Sequence, residues 1–220
     1  VERLRISDTK IARMNRSYDP EMSWILNVQI QQKKNPFRAV VGRCNEIDAN
    51  NFLNISELDD THPLWKISHD AVVPRKAWDL ACCARLLMQI SRKVIIIDPN
   101  FDPVHERFLE TFSHLITFAL DHHKPERLEL HAEYGFFKEQ KRENDWKSDC
   151  LNNLSPTIPE GFSIEVFQWE AKFLGDKPHA RYILTEFGGI RYDYGLDKGE
   201  GQTTDVSLIG PDAYKQRWQD

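Results

Sequence analysis

Residues 177–197 read Lys-Pro-His-Ala-Arg-Tyr-Ile-Leu-Thr-Glu-Phe-Gly-Gly-Ile-Arg-Tyr-Asp-Tyr-Gly-Leu-Asp. Two β-prone runs, 180–187 and 190–194, flank Gly188-Gly189, and a Gly-Gly pair between such runs signals a hairpin. Upstream, residues 93–98 (Lys-Val-Ile-Ile-Ile-Asp) form a continuous β-branched run, the mark of a strand buried on both faces, and Pro99 stops it. Before that strand, Pro74 suits a first helical turn, and Trp78, Ala81, Cys82, Leu86 and Ile90 follow at helical spacing. After it, Phe108, Leu109, Phe112, Leu115, Ile116, Ala119 and Leu120 predict an amphipathic helix over about 104–121. Residues 127–134 alternate apolar and polar and predict a strand. A polar-faced helix over 139–154 and a strand over 162–169 follow. A last strand at 204–209 and a helix opened by Pro211 complete the order. That order predicts an α/β domain at 71–220, with a mixed β-sheet flanked by helices.

Residues 1–70 are less patterned and are expected to be an N-terminal appendage. Strands are expected at 23–30 and 37–41, separated by a turn at 31–36, with a loop-rich stretch from 45 to 70. The 220-residue length suits one domain with such an appendage. Hydrophobic residues make up 40% and charged residues 29%, which permits a sizeable core. The net charge of −5 gives no global field for nucleic acid or anionic membrane, so phosphate binding needs a local cluster. Cys44, Cys82, Cys83 and Cys150 form no C-x2-C pair, which argues against a disulfide framework or zinc site and for a reducing cytoplasm. No apolar run reaches the length of a membrane span, and no signal peptide is expected. The chain starts at Val, so it is also read as a candidate fragment of a longer protein.

The chemistry sits in the hairpin segment. In a strand over 180–187, side chains alternate faces, so His179 and Arg181 project to one side about 7 Å apart. An arginine guanidinium can donate two parallel hydrogen bonds to phosphate oxygens. A neutral histidine nitrogen can attack phosphorus, and a second histidine can protonate the leaving oxygen. Glu186 falls on the opposite face from Arg181 and is expected to hold neighbouring loops. Asp197 and Asp205 are candidates to fix the imidazole tautomer. Lys177, Arg191 and Lys198 are candidates to add positive charge. Tyr182, Tyr192 and Tyr194 are expected to pack rather than stack on bases.

The spacing His179-Ala-Arg181, four residues, Glu186 resembles the H-x-K-x4-D motif of the phospholipase D-like superfamily, with Arg for Lys and Glu for Asp. The resemblance spans about residues 74–220 and implies one phospholipase D-like half-domain. The Gly-Ser-x-Asn element usual downstream is replaced by Tyr194-Gly195-Leu196-Asp197. Such proteins pair two histidine motifs in one pocket, so the resemblance implies a homodimer with His179 as nucleophile in one protomer and acid in the other. It implies no metal and no cofactor. Compact dimeric members are often nucleases, many in prokaryotic defence systems. The H-x-R form with a Gly-Leu-Asp element is also similar to the phospholipase D-like C-terminal domain of MIT-domain proteins, which implies phospholipid binding without cleavage.

Each residue also has a plainer reading. His179 reads as a surface histidine at a strand start, and Arg181 as a structural partner of Glu170 or Glu186. Asp98 and Asp102 suit a turn and helix cap better than a magnesium site. His122-His123 reads as a helix end, and Cys82-Cys83 as buried apolar thiols. Three functions stand side by side: a nuclease on nucleic acid or another phosphodiester, a phosphate- or partner-binding module of a larger assembly, and an α/β domain in which the motif is accidental.

Overall fold

A computed structural model describes residues 16–43, 50–59, 61–64, 68–134, 143–170 and 181–219. The chain divides into two compact units, with the boundary between His69 and Asp70.

The first unit, up to His69, holds helix α1 (Trp24–Lys34) and two short parallel strands, β1 (Val40–Gly42) and β2 (Phe52–Asn54). The sequence reading expected a strand over 23–30 and the structure has a helix. Leu26, Val28 and Ile30 alternate as a strand would. The deciding residue is Ser23, whose hydroxyl accepts the Leu26 amide at 3.2 Å and caps the helix. Buried Asn27 then ties α1 back to the chain before it, accepting from the Asp19 amide and donating to the Asp19 carbonyl, each at 2.8 Å. The strand expected at 37–41 is β1, displaced toward Gly42.

The second unit is a seven-stranded mixed sheet with helices. Its elements are β3 (Asp70–Pro74), α2 (Ala77–Ile90), β4 (Lys93–Ile97), α3 (Glu106–Leu120), β5 (Arg127–Tyr134), α4 (Glu143–Asp149), β6 (Glu165–Glu170), β7 (Arg181–Thr185), β8 (Gly188–Tyr192), β9 (Thr203–Leu208) and α5 (Pro211–Gln219). The strand order is β3-β9-β8-β7-β4-β5-β6. The β4, β5 and β6 strands run parallel, and every other pairing is antiparallel. The α/β reading with a mixed sheet therefore holds.

One face carries the core. Val94, Ile96, Leu128, Leu130, Ile183, Ile190 and Tyr192 point into it from the strands. Leu80, Ala84 and Met88 of α2 and Phe108, Phe112, Leu115 and Ile116 of α3 meet them. Each buried leucine- or phenylalanine-sized side chain stabilises the fold by about 1.5–3 kcal/mol. Tyr192 is fully buried, and its hydroxyl donates to the Leu80 carbonyl at 3.0 Å, pinning β8 to α2. The other face is covered at β7 and β8 by α5, where Arg217 stacks 5.6 Å over Tyr182.

Several boundaries differ from the sequence reading. The hairpin turn, expected at Gly188-Gly189, lies at Glu186-Phe187, and both glycines belong to β8. Pro74 ends β3 and does not open the helix, because β3 is a terminal strand of the sheet and a proline there forfeits no central ladder bond. The strand expected at 162–169 runs Glu165–Glu170. The helix expected at 139–154 is described from Glu143; it is α-helical to Asp149, then widens into a π turn over Cys150–Leu154 and a 3-10 turn over Ser155–Thr157.

Candidate functional site

The antiparallel pairing of β4 with β7 sets Ile97 opposite Tyr182. One step further, Asp98 leaves the end of β4 beside Arg181, the first residue of β7. Strand parity puts both side chains on the core-helix face, and Arg181 Nε lies 3.7 Å from Asp98 Oδ1. Arg181 Nη1 also donates to the Asp193 carbonyl at 3.2 Å. Asp98 is completely buried. Its carboxylate accepts from the backbone amides of Leu196 at 2.9 Å and Asn100 at 3.0 Å. Burial pushes its pKa above the ordinary carboxylate value, against the downward pull of those two amides and Arg181. Asp98 thus joins three elements: the end of β4, the start of β7, and the loop after β8.

That loop, residues 193–202, is tied down along its length. Arg75, just past β3, donates from Nη2 to Asp197 Oδ1 at 2.7 Å and to the Asp197 carbonyl at 3.2 Å. It also donates to the Gln202 side chain. Arg107 of α3 brings Nε within 3.6 Å of Asp197 Oδ2, and its carbonyl accepts the Lys198 amide at 3.0 Å. Gly195 lets the two carboxylates converge. A Cβ there would overlap Asp197 Oδ1 and sit 3.5 Å from Asp98 Oδ2. The result is three arginines around two aspartates at the carboxyl end of β4. Loops at that end of an α/β sheet are where ligands bind most often.

The candidate residues distribute as follows. Arg181 and Asp197 lie in this cluster. Lys198 adjoins it, but its ammonium pairs with Glu110, and that bond holds its pKa above the usual lysine value. Arg191 and Asp205 do not join it. Tyr192 and Val206 face the core, so their neighbours Arg191 and Asp205 point to the opposite face. Arg191 pairs there with Asp193 at 2.9 Å. Glu186 sits in the hairpin turn at the far end of β7, about 17 Å along the strand from Arg181. Its two carboxylate oxygens accept the Arg92 and Lys93 amides at 2.6 and 3.1 Å, where β4 begins. His179 and Lys177 lie outside the described residues, as does the stretch 171–180.

Sequence reasoning missed Arg75 and Arg107, and read Asp98 as a turn or helix-cap residue in preference to a magnesium ligand. One signal was available. Arg75-Lys76 leads into α2, and Arg107 falls in the first turn of α3. Cations at helix N-termini oppose the macrodipole, so a helix start that keeps them has another use for the charge.

The remaining candidates have structural partners. Asp102 accepts the Val104 amide at 3.0 Å, as an entry to α3 requires. His123 bonds the Ser91 carbonyl at 2.7 Å. Cys82 and Cys83 are partly buried on α2, where the Cys83 thiol donates to the Asp79 carbonyl at 3.4 Å, and Cys44 lies outside the described residues. Among the described residues no cluster of three or more His, Cys, Asp or Glu could hold a metal, and no helix is long and apolar enough to cross a membrane.

No protein-family model matches the chain. No curated protein matches it. Among solved structures, the chain is similar to TrmBL2, described as an archaeal chromatin protein with a novel mode of DNA binding, at 8% identity and a TM-score of 0.34. The match covers 70% of this chain and 54% of that one, so the chain spans about half the length of the protein it matches. A likeness at that score bears on neither fold nor function.

Proposed function

We infer that this chain is a phospholipase D-like phosphodiesterase, a metal-independent nuclease that works as a homodimer. The observation that supports the reading is Arg181 held beside buried Asp98 at the carboxyl end of β4. A fixed guanidinium in that place can hold a phosphate by two parallel hydrogen bonds. His179 precedes it by two residues in the sequence. In the proposed step, a nitrogen of His179 bonds to phosphorus and the phosphorus–oxygen bond to the leaving group breaks. The other protomer's His179, protonated, gives its proton to the leaving oxygen. Water then attacks the phosphohistidine, losing its proton to that second histidine, and His179 is released.

The test is cleavage of single- and double-stranded DNA and RNA in EDTA by the wild-type chain and by His179→Ala. Loss of at least about 1,000-fold in rate is expected for a nucleophile. Equal cleavage by both proteins would rule this mechanism out.

A second reading, a phosphate-binding module without hydrolysis, is favoured by one observation. Arg75 and Arg107 face Asp197, Arg181 faces Asp98, and adjoining Lys198 faces Glu110. A site whose cations already have carboxylate partners is suited to reversible anion capture. Phosphate binding by a wild-type chain that cleaves nothing in the same assay would select this reading.

A further inference from the structure

Asp197 occupies the position an anionic ligand would take. Its Oδ1 receives Arg75 and its Oδ2 faces Arg107, so the carboxylate spans two guanidinium groups that come from different elements. That is the geometry by which arginine pairs hold a phosphate. The two arginines are unequally committed. Arg107 is half exposed and meets Asp197 only at 3.6 Å, longer than a hydrogen bond. Arg75 has a side chain nine-tenths buried, and its Nε donates to no acceptor among the described residues. A buried donor without an acceptor costs about 1–3 kcal/mol, so the seat around Arg75 is incompletely satisfied by Asp197. Both arginines stand at helix starts, where the macrodipole adds to their pull on an anion.

The residues that bring Asp197 here also let it leave. It sits on a loop between β8 and β9 whose backbone is anchored on both sides of it: the Leu196 amide on Asp98, and the Lys198 amide on the Arg107 carbonyl. The side chain can therefore rotate away while the loop stays in place. Gly195 leaves room beside it, having no Cβ to crowd the carboxylate.

We propose that Arg75 and Arg107 form an anion seat that the chain's own Asp197 carboxylate fills, and that a ligand phosphate binds there by displacing it. The proposal rests on the phosphodiester reading above for the chemistry of the ligand. Asp197 is then a built-in competitor that sets the affinity, and Arg75 and Arg107 are binding residues additional to Arg181. The seat takes a phosphate group, whether carried by a nucleotide or by a lipid headgroup.

The experiment titrates inorganic phosphate by calorimetry into the full chain and into Asp197→Asn, Arg107→Gln and Arg181→Gln, each checked by thermal melting. Asp197→Asn keeps a neutral bond to Arg75 and removes the competing charge. It is expected to bind phosphate about tenfold more tightly than wild type, the factor that releasing one charged hydrogen bond supplies. Arg107→Gln is expected to bind several-fold more weakly. Affinity unchanged or lowered in a folded Asp197→Asn overturns the proposal. Should Asp197→Asn not fold, Arg107→Gln decides alone, since its guanidinium lies at the rim: unchanged affinity overturns the proposal and weaker affinity sustains it. Repeating the titration with a dinucleotide and with glycerophosphocholine tells the two sources apart; the tighter response to Asp197→Asn identifies the natural one, and no response to either overturns the proposal. Arg181→Gln separates this inference from the reading beneath it. If it alone abolishes binding, the phosphodiester reading stands and the Arg75–Arg107 seat falls. If it leaves binding intact while Asp197→Asn tightens it, the seat stands and the Arg181 reading falls.

Discussion

Asp98 illustrates how one buried carboxylate can organise a site at a cost. Its two backbone donors are stabilising, but burial makes the charged form expensive, and burial wins. The folded-state pKa is raised above the ordinary value of 3.8, so the folded chain holds this proton more tightly than the unfolded chain does. The stability Asp98 contributes is therefore fullest below the unfolded value and is lost as pH rises through the folded value. Asp98→Asn removes that titration while keeping an acceptor for the Leu196 amide. The expected outcome is that wild type loses stability relative to Asp98→Asn as pH rises from about 4 toward neutrality, read by urea unfolding at each pH. A difference that grows in the opposite direction would show that the amides and Arg181 outweigh burial. Gly195 makes a second argument at this scale. Adding a methyl there forces the Asp197 carboxylate to shift, and overpacking of this kind costs about 1–3 kcal/mol. Gly195→Ala is expected to unfold at lower urea by that amount, and an unshifted midpoint would mean the loop absorbs the methyl freely. None of this was legible from residue identity. Asp98 reads equally well as a turn residue, and only its partners distinguish the two roles.

Among the elements, the β7–β8 hairpin was the most legible. Gly188-Gly189 between two β-prone runs announced a hairpin, but the turn lies two residues earlier, at Glu186-Phe187, and both glycines belong to β8, paired with Thr185 and Leu184. The parity argument that separated Glu186 from Arg181 also has a structural counterpart. Glu186 serves the other end of the strand, closing the entry of β4 through the Arg92 and Lys93 amides. Glu186→Ala is expected to lose about 1.5–3 kcal/mol, the worth of hydrogen bonds to a charged group, without changing phosphate affinity. Weakened phosphate binding in a stably folded Glu186→Ala would contradict this division of labour. Helix α1 was the least legible element. Its apolar residues fit a strand period, and the cap at Ser23 outweighed them because it satisfies an amide that a helix start leaves without a partner. The end of α4 was similarly hidden, since nothing in Cys150–Leu154 announces a π turn.

At the scale of the molecule, the core cluster draws its members, among the described residues, from Val73 onward. Residues 68–220 are therefore expected to fold alone with a single cooperative thermal transition; a chain of those residues that melts without cooperativity would show that the first unit completes the core. The sequence by itself determined the α/β class and the order of strand and helix from β4 to α5. These follow from local periodicity, which a linear chain displays. The tertiary structure decided what surrounds Arg181. Arg75, Asp98, Arg107 and Asp197 are separated by up to 122 residues along the chain, and no spacing rule relates them. They meet because the sheet places the ends of β3, β4 and β8 and the start of α3 at one edge. The same pairing removed Arg191 and Asp205 from the site, since antiparallel registers turn alternate side chains to opposite faces. The motif marked Arg181, and the fold supplied buried Asp98 beside it and the Arg75–Asp197 pair.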